Sequence, residues 1–518
     1  MKRVIYALIA LTLLLGLLAL PALALGEEQS YSFSYDLESN PMPGPSPFEV
    51  RYRIDPAELG AGKLKNAAGL YVRGDRAYVC DTGNNRVLVL QLGEDGARLE
   101  REIQSGEGWS LAAPEDVFVD EDGNYFICDT GNGRVLCLDK TLCLRMSIGK
   151  PDSVLFDQAS EFKPEKVVCA AGGRIYVQAA GVNRGLIEFS AEGEFQGYMG
   201  ASPVRFDWTD YIWKILSTDV QKRHMESFVP TEYNNIAVDS EGFLFVTNFV
   251  FSQQDLLSGA AQPVRRLNLK GSNILNCDLQ GMKRWNDSGP SRFIDVTVPE
   301  SKIIYLLDSC YCRIFAYDSM GNMLYAFGGY GNRVGWFQNP TALESWGEDL
   351  LVLDGTSGYL TVLTPTHYGS LVMQAIGCYD SGRYDESYAA WQEVLRLNGN
   401  HYLAYDGIGK IKLRKGNYEG ALNDLKYAKD SFYYSKAFQL YRKQWLEEHL
   451  LWIVLGVLII IIMPIVAVVS LFNGGIEIDT DRLQTMVVEN LSAEEQAKLQ
   501  AVEDTMYAIE DAMLAASF

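Results

Sequence analysis

The chain contains very little histidine, four residues among 518. Only His224 falls well inside the region that the repeats described below occupy. A histidine-bound metal centre needs several such side chains in one place, so this kind of site is excluded. A carboxylate-bound Ca²⁺ stays open, although no local ligand spacing indicates one. We therefore assign no metal-binding residue.

Positive charge is also scarce, with 45 Lys and Arg against 66 Asp and Glu and a formal charge of -21. Binding to a nucleic-acid backbone requires a basic stripe, and the sequence has none, so nucleic acid is not expected as a partner. No GxSxG, Walker or dinucleotide motif occurs in its required structural context. The sequence predicts no catalytic residue and no cofactor.

Nine cysteines are present, an odd number, and no CxxC pair occurs. Cys80 and Cys128 occupy the same position in two repeats, which favours small buried core residues over disulfide partners. Cys310 and Cys312 flank one residue in a predicted turn. Packing or free thiols are favoured there, with a strained bridge as the alternative.

A repeat organises most of the chain. The stretch YVCDTGNNRVLVL at 78–90 recurs as YFICDTGNGRVLCL at 125–138, with Asp five residues before Arg across a Gly/Asn turn. Strand-only units with a period of about 50 residues indicate a β-propeller. Weaker copies start at Ile175, Phe243, Ile303 and Leu350.

Six equivalent turn positions can be counted, and six units make one closed ring. The sequence thus predicts a six-bladed β-propeller over 27–366. A further strand candidate at 31–40 is predicted to pair with the last blade and close the ring, which would remove an exposed edge. The six positions are Asp81, Asp129, Ala179, Asn248, Asp308 and Asp354.

The period changes after Pro365. Segments 370–400 and 402–430 are helical in pattern and repeat with a shift of 34 residues, so that Gly382 matches Gly416. This is the tetratricopeptide spacing, and it predicts a helical stalk over 367–446. Because fewer than three units rarely stand alone, we expect the stalk to lean on the propeller or on a partner.

Two apolar runs indicate export and membrane insertion. Residues 1–25 have a basic start, an apolar stretch and Ala22-Leu23-Ala24, as in a secretory signal peptide; an uncleaved signal anchor is the alternative. The run at 450–472 has no charge and is long enough for one transmembrane helix, with a buried core helix as the alternative.

The orientation in the membrane is predicted from the N-terminal signal, because this segment is the first to be inserted. It places the propeller and the stalk outside the cytoplasm and the tail at 473–518 inside. Arg442 and Lys443 before the span favour the opposite orientation. The tail is acidic, and Ser492 with Glu495 forms a capping box that predicts an amphipathic helix. Its acidic face is either solvated or binds a partner.

The Asp and Arg residues of the repeat turns resemble catalytic pairs, but we interpret them as scaffold. An Asp at a strand end accepts backbone hydrogen bonds across the next turn, and Arg supplies a charged partner. Active sites are normally built once, whereas these residues recur in several blades. The residues concerned are Asp81, Arg86, Asp129, Arg134, Asp308, Arg313 and Asp354.

The insertion at 201–235 is the candidate binding region. It combines aromatic and basic side chains, which bury large areas at low entropy cost on protein-binding or sugar-binding surfaces. The alternative is a cap that covers a blade edge. The candidate binding residues are Arg205, Trp208, Tyr211, Trp213, Arg223 and Phe228.

The motifs VCDTGNNRV at 79–87 and ICDTGNGRV at 127–135 resemble the NHL-repeat family of β-propellers. The order of signal, NHL propeller, tetratricopeptide pair and membrane segment is similar to exported membrane proteins of anaerobic Firmicutes, as are FVPTEYNNIAVD at 228–239 and TPTHYG at 364–369. Those relatives continue into a Yip1-like membrane domain and lie beside sugar-importing ABC transporters. Here one span and an acidic tail follow, so the Yip1-like part is absent or replaced.

The leading functional hypothesis is a non-enzymatic scaffold or binding protein of the bacterial cell surface. Its propeller and stalk would recognise an extracellular protein or glycan, and the resemblance adds an ABC-type sugar importer as a partner. The alternative is an extracellular propeller enzyme, a polysaccharide lyase or hydrolase, which would need two carboxylates converging in one pocket. A third hypothesis is a sensor that transmits binding through the span to the tail.

Overall fold

The structure, a computed structural model, describes residues 32–36, 39–156, 161–170, 172–200, 233–248, 251, 256, 261–283, 289–473, 497 and 500. It divides into two units, one that ends at Phe438 and one that begins at Gln439. The predicted signal segment, the six candidate binding residues of the insertion and most of the acidic tail lie outside the described residues.

Six antiparallel sheets form the blades of a ring, which confirms the predicted six-bladed β-propeller. In chain order the strands are β1 (Ser32–Tyr35), β2 (Pro41–Gly44), β3 (Phe48–Ile54), β4 (Leu70–Arg73), β5 (Arg76–Asp81), β6 (Arg86–Gly93), β7 (Gly96–Ile103), β8 (Ser105–Gly106), β9 (Trp109–Ser110), β10 (Pro114–Val119), β11 (Tyr125–Asp129), β12 (Arg134–Leu138), β13 (Leu144–Ile148), β14 (Pro164–Cys169), β15 (Ile175–Ala179), β16 (Leu186–Phe189), β17 (Phe195–Met199), β18 (Asn235–Val238), β19 (Leu244–Thr247), β20 (Val264–Leu267), β21 (Phe293–Thr297), β22 (Ile304–Asp308), β23 (Arg313–Tyr317), β24 (Met323–Gly328), β25 (Pro340–Trp346), β26 (Asp349–Asp354) and β27 (Leu360–Pro365).

The first strand of each blade lies innermost. These strands are β4, β10, β14, β18, β21 and β25, and each contacts the inner strand of the next blade around the closed ring. The second strands are mostly apolar and buried, as in Tyr125–Asp129, where every residue is buried. A strand covered on both faces reads as a continuous apolar run, and here the two neighbouring blades provide the cover. The core therefore lies between blades.

The ring closes through a different strand from the predicted one. β3 pairs with β27 and completes the sixth blade, with Tyr52 opposite Val362. The prediction that the strand near residues 31–40 closes the ring is wrong. Instead, β1 pairs with β24 and extends the fifth blade, and β2 is the outermost strand of that blade. The physical reason is Phe33 on β1, which is buried in the apolar core of that blade beside Phe293 and Phe315.

Four hairpins turn at a glycine that follows or precedes a polar residue in the sequence, a pattern typical of tight turns between strands. Gly123, Gly193, Gly242 and Gly321 have φ of 84°, 81°, 83° and 85°. Only glycine adopts this region without strain, so the reading of strand, turn and strand is confirmed at these positions.

Four helices follow the ring: α1 (His367–Asp380), α2 (Tyr384–Leu397), α3 (Tyr402–Arg414) and α4 (Tyr418–Tyr427). They form two hairpins, α1 with α2 and α3 with α4. Thr366 caps α1 by accepting a hydrogen bond from the Gly369 amide at 3.2 Å. The connection between β27 and α1 is held in place as well, because the Thr366 hydroxyl donates to the Ser46 carbonyl at 2.6 Å, just before β3.

The helical hairpins pack on the propeller, as expected for two units that cannot stand alone. One continuous core joins Phe48, Tyr325 and Leu343 of blades five and six to Val372 of α1 and Trp391 of α2. The helices and these two blades therefore share their buried surface.

The helix α5 (Ser431–Asn473) continues from the hairpins and contains Pro464. Among the described residues one helix is long and apolar enough to cross a membrane, the part of α5 from Ser431 to Val469. The predicted span at 450–472 coincides with the apolar part of this helix.

Candidate functional site

The repeat turns lie on one face of the ring, where the second strand of each blade ends; we call it the turn face. Asp81 is fully buried there. It accepts hydrogen bonds from the Lys65 amide at 2.7 Å, the Asn84 side chain at 2.8 Å and Arg86 Nε at 2.7 Å. Asp129 repeats the three contacts in the second blade, its Arg partner being Arg134 at 2.7 Å. Each carboxylate ties a turn to the loop before its blade.

The other turn acids have different partners. Asp308 accepts from the amides of Arg292 at 2.9 Å and Cys310 at 2.8 Å, and burial raises its pKa to about 6. The guanidinium of Arg313 lies 5.2 Å from the ring centre of Phe33.

In the sixth blade, Asp354 accepts from the Gln338 amide at 2.6 Å. The four turn carboxylates therefore belong to four separate blades and do not form a common pocket among the described residues.

The opposite face carries the hairpins between first and second strands, and we call it the hairpin face. The chain leaves β27 on this face, so the helices begin there. The insertion at 201–232 is bracketed by Gly200 and Tyr233 on the turn face, where the Tyr233 hydroxyl donates to the Gly200 carbonyl.

The inner strands line a central channel that contains charged side chains. One equivalent position of each strand, next to a β-bulge in most of them, faces this channel. Around the ring the residues at this position are Gly69, Asp116, Lys166, Asn235, Asp295 and Ala342.

Asp116 and Asp295 connect consecutive blades. Asp116 accepts a hydrogen bond from the Val167 amide of the next blade at 3.0 Å and lies 3.4 Å from Lys166 Nζ. Asp295 accepts from the Leu343 amide of the next blade at 2.7 Å, and the Asn235 side chain of the preceding blade donates to it. The carboxyl groups of Asp116 and Asp295 are therefore engaged in hydrogen bonds between neighbouring blades.

The charges in the channel perturb one another. Burial raises the pKa of Asp116 and that of Asp295, the latter to about 6, while Lys166 opposes both shifts. Burial lowers the pKa of Lys166, but Asp116 and Asp295 outweigh it and the net shift is upward. Lys166 therefore stays protonated and balances part of the negative charge.

A second set of channel residues lies two positions further toward the hairpin face. Here the Thr297 hydroxyl is 3.3 Å from Glu344 Oε2 and 3.2 Å from Ser345 Oγ. Burial, followed by the charge of Asp295, raises the pKa of Glu344 well above its ordinary value. The ring centres of Tyr71 and Phe118 are 4.8 Å apart. The raised pKa favours the protonated form of Glu344, and Tyr71 and Phe118 line the same channel.

The channel opens into a larger space beneath α1. The channel cavity measures about 180 Å³. Tyr71 and Ser345 line it and also line a cavity of about 830 Å³ that α1 covers with Met373 and Gly377. A neighbouring cavity of about 970 Å³ shares Gly377 and reaches Asp239 and Arg266. We call the space between the hairpin face and α1 the helix cleft.

Some of the charges on the wall of the helix cleft are paired with each other, and Glu300, Glu348 and Asp380 line it as well. Arg266 lies 2.5 Å from Asp239 and 2.6 Å from Glu241, and Lys302 lies 2.6 Å from the other oxygen of Glu241. Hydroxyl groups of serine occur on several hairpins around it. Those that line the cleft are Ser240, Ser301, Ser319, Ser345, Ser370 and Ser381.

These channel residues were not predicted from the sequence. Asp116, Lys166, Asn235 and Asp295 each lie thirteen residues before the turn position of their own repeat, which an alignment of the repeats could have revealed. Their chemical types differ, so no motif marks them. Among the described residues no group of three or more His, Cys, Asp and Glu side chains is placed to hold a metal ion.

Cys80 and Cys128 are both fully buried at equivalent positions of β5 and β11. Burial raises the pKa of both thiols well above the ordinary value. No disulfide occurs among the described residues. These two cysteines are core residues of their blades.

No protein-family model matches the chain. No curated protein matches it either. Among solved structures it is similar to virginiamycin B lyase from Staphylococcus aureus, with 11% identity and a TM-score of 0.37 over 61% of this chain and 99% of that one. Hydrazine synthase from Kuenenia stuttgartiensis gives 13% identity and a TM-score of 0.35 over 58% and 83%.

The extracellular domain assigned to a hybrid two-component system of B. thetaiotaomicron gives 12% identity and a TM-score of 0.34. That match covers 61% of this chain and 38% of the other. Likeness at this level concerns the fold alone.

Proposed function

We propose that this protein is a membrane-anchored binding protein that holds its ligand in the helix cleft. The observation that carries the proposal is the opening of the propeller channel into a cavity of about 830 Å³ beneath α1. Ligand sites favour concave spaces between domains, with a few convergent polar groups on an otherwise formed wall. Arg266 on the wall is already paired with Asp239 and Glu241, which suits capture better than chemistry.

The geometry favours binding over hydrolysis. A glycoside hydrolase needs two available carboxyl groups, one as acid and one as base or nucleophile. Asp116 and Asp295 face the channel, but their oxygens accept backbone hydrogen bonds from the next blades. Glu344 has a raised pKa and lines the channel next to Ser345, which lines both the channel and the cleft.

That property of Glu344 supports the second candidate, an extracellular polysaccharide lyase or hydrolase with Glu344 as its acid. The variant Glu344→Gln separates the two. A hydrolase or lyase would lose activity on its polysaccharide by at least about 100-fold, the usual contribution of a general acid. A binding protein would keep its affinity.

We further propose that the blades are NHL repeats over 27–366 and that the helical hairpins are a tetratricopeptide pair over 367–446. The repeated CDTGN turns and the shift of 34 residues between helical units support this. The proposed partner is an extracellular protein or glycan, with an ABC-type sugar importer beside it in the membrane. Domain exchange with authentic NHL blades would test the family assignment.

The proposed orientation places the propeller and the hairpins outside the cytoplasm. Cys143 is the exposed cysteine of the ring and offers a direct measurement. A membrane-impermeant maleimide added to intact cells should label the wild-type protein and label Cys143→Ser far less. Labelling of Cys143 only after the cells are opened would place the ring in the cytoplasm.

The binding role is tested at Gly377, which lines both large cavities and has open space where a side chain would be. Gly377→Trp should fill the helix cleft without a clash, and Gly377→Ala is the matched control. Full-length protein would be purified from its native membranes and analysed by native mass spectrometry. We expect co-purified ligand on wild type and Gly377→Ala and none on Gly377→Trp. Equal retention by all three would refute the cleft as the site.

A further inference from the structure

The junction between channel and helix cleft carries a cluster of hydroxyl and carboxyl groups, in which the Thr297 hydroxyl contacts Glu344 and Ser345. Deeper in the channel, Asp116, Lys166 and Asp295 contact one another or backbone amides of the next blade. At the junction, Thr297 and Ser345 present hydroxyls. A ligand that reaches the junction would therefore meet groups that still have hydrogen-bonding capacity.

These junction groups carry little charge. Thr297 and Ser345 are uncharged, and burial together with the nearby carboxylates raises the pKa of Glu344, which favours its protonated form. A protonated carboxyl both donates and accepts, as a ligand hydroxyl does. On the cleft wall, Arg266 and Glu241 are paired with each other at 2.6 Å.

An aromatic ring lies beside these polar groups. Tyr71 lines both the channel and the cleft, and its ring packs on Phe118 at 4.8 Å between ring centres. An aromatic face next to hydroxyl and carboxyl groups matches a ligand with one apolar face and a polar rim. A sugar ring has this distribution, with C–H groups on its faces and hydroxyls around its edge.

The sizes of the two spaces define what enters each. The channel cavity of about 180 Å³ is smaller than the usual range for a whole ligand. The adjoining cavity of about 830 Å³ falls within that range. A chain-like ligand could thus lie in the cleft and place one terminal unit in the channel mouth.

We propose that the junction formed by Tyr71, Thr297, Glu344 and Ser345 is a subsite for the terminal unit of an uncharged oligosaccharide. This inference rests on the proposed function and specifies the ligand class of the same cleft. The hydroxyls of the terminal sugar exchange hydrogen bonds with Thr297 and Glu344, and Tyr71 covers one face of its ring.

The test uses the full-length protein in lipid nanodiscs on an array of oligosaccharides. The probes are neutral oligosaccharides, uronic-acid oligosaccharides and amino-sugar oligosaccharides at equal density. We expect binding to one or more neutral probes and none to the charged sets. Thr297→Val, which keeps the side-chain shape, should weaken that binding at least tenfold, and Glu344→Leu should do the same.

Two matched variants complete the test. Glu344→Gln keeps the side-chain shape and a group that donates and accepts, so it should weaken binding less than Glu344→Leu. Glu107→Gln, exposed between β8 and β9 and away from the helix cleft, should leave binding unchanged. Thermal unfolding of each variant distinguishes lost binding from lost fold, and Thr297→Ser replaces Thr297→Val if the latter unfolds, with retained binding expected.

Three outcomes would overturn the inference. They are preference for the charged probes, neutral binding that Thr297→Val leaves intact, and absence of neutral binding. If neutral binding is absent while native material still carries a ligand that Gly377→Trp removes, the cleft is a binding site for another ligand class. If neither is observed, the proposed function fails as well.

Discussion

At the scale of single residues, the buried carboxylates of the ring serve its architecture. Asp81 and Asp129 hold turns, whereas Asp116 and Asp295 hold neighbouring blades together. In both cases the carboxyl group accepts a hydrogen bond from a backbone amide of another segment together with bonds from side-chain donors, which is a strong arrangement in a buried setting. Acidic residues are thus part of how this propeller is assembled.

Asp81→Ala should destabilise the ring strongly. The change removes one partner of a buried ion pair, 2.7 Å from Arg86, and leaves the Lys65 amide and the Asn84 side chain without their acceptor, while Arg86 keeps Glu102. Such a loss costs about 3–5 kcal/mol. Thermal unfolding followed by circular dichroism would measure it, with Asp122→Ala in an exposed hairpin as the control. A melting temperature equal to that of the control would contradict the scaffold interpretation.

His401 should make the helical hairpins sensitive to acid. It is 1% exposed, stacks on Trp391, and burial lowers its pKa from 6.5 to about 4. Because the folded pKa is below the unfolded one, its contribution to stability is complete above pH 6.5 and is lost as pH falls toward 4. From pH 7 to pH 5 the loss is roughly 2 kcal/mol.

The variant His401→Gln tests this dependence, since glutamine does not titrate. It should be less stable than wild type at pH 7 and should lose less stability on acidification to pH 5. Urea unfolding at the two pH values gives the comparison. An equal pH dependence in the two proteins would show that His401 is not the responsible group.

At the scale of elements, sequence periodicity predicted the ring well and its closure badly. The second strands of all six blades end at or next to the turn positions found in the sequence, from Asp81 to Asp354. The closing strand could not be identified because β1 and β3 are both short and partly apolar. Pairing partners depend on tertiary packing that single-sequence patterns do not contain.

The candidate site was predictable only in part for a related reason. The bulged inner-strand position is polar in four blades, as Asp116, Lys166, Asn235 and Asp295, and small in the other two. The role of this position in lining a channel becomes evident only when the six inner strands are arranged around one axis. The predicted binding residues of the insertion, Trp208 and Trp213 among them, lie outside the described residues, so that prediction stands as it was made.

Substitution of two phenylalanines tests which strand closes the ring. Phe48 on β3 is buried and stacks on Phe327 at 5.0 Å between ring centres. Phe48→Ala should cost about 3–5 kcal/mol and lower the melting temperature of the whole ring, because it weakens the strand that joins the two ends. Phe33→Ala, equally buried but on the added ribbon, should mainly release β1 and β2.

Hydrogen exchange measured by mass spectrometry would resolve the two effects. Phe48→Ala should increase exchange in all blades, and Phe33→Ala should increase it chiefly in residues 32–44. Exchange in the reverse pattern would assign closure to β1 after all.

At the scale of the whole molecule, the helices and the ring act as one body up to Phe438. Their shared core includes Phe48 and Tyr325 from the blades together with Val372 and Trp391 from the helices. A ligand in the helix cleft would contact both parts at once. Binding should therefore stabilise the helices and the ring together.

Two glycines of α1 test how closely it sits on the propeller. A Cβ added to Gly369 would lie 2.0 Å from the Pro47 carbonyl oxygen, whereas one added to Gly377 meets nothing within 4 Å. Gly369→Ala should displace α1 and destabilise the body by a few kcal/mol, about 1–3 for a forced clash. Gly377→Ala should stabilise it by about 0.5–1 kcal/mol.

Thermal unfolding of the two variants, compared with wild type, gives the opposite signs expected. If both substitutions shift the melting temperature upward, α1 is not held against the segment before β3.

The pairing of β3 with β27 has a mechanical consequence. The chain enters the ring through β3 and leaves it through β27, and these two strands pair with each other from Phe48 opposite Pro365 to Ile54 opposite Leu360. All that follows, including the apolar helix α5, is attached through β27. A pull on that end would first load the core that the helices share with blades five and six, and the β3–β27 ladder would then be the first pairing of the ring to separate.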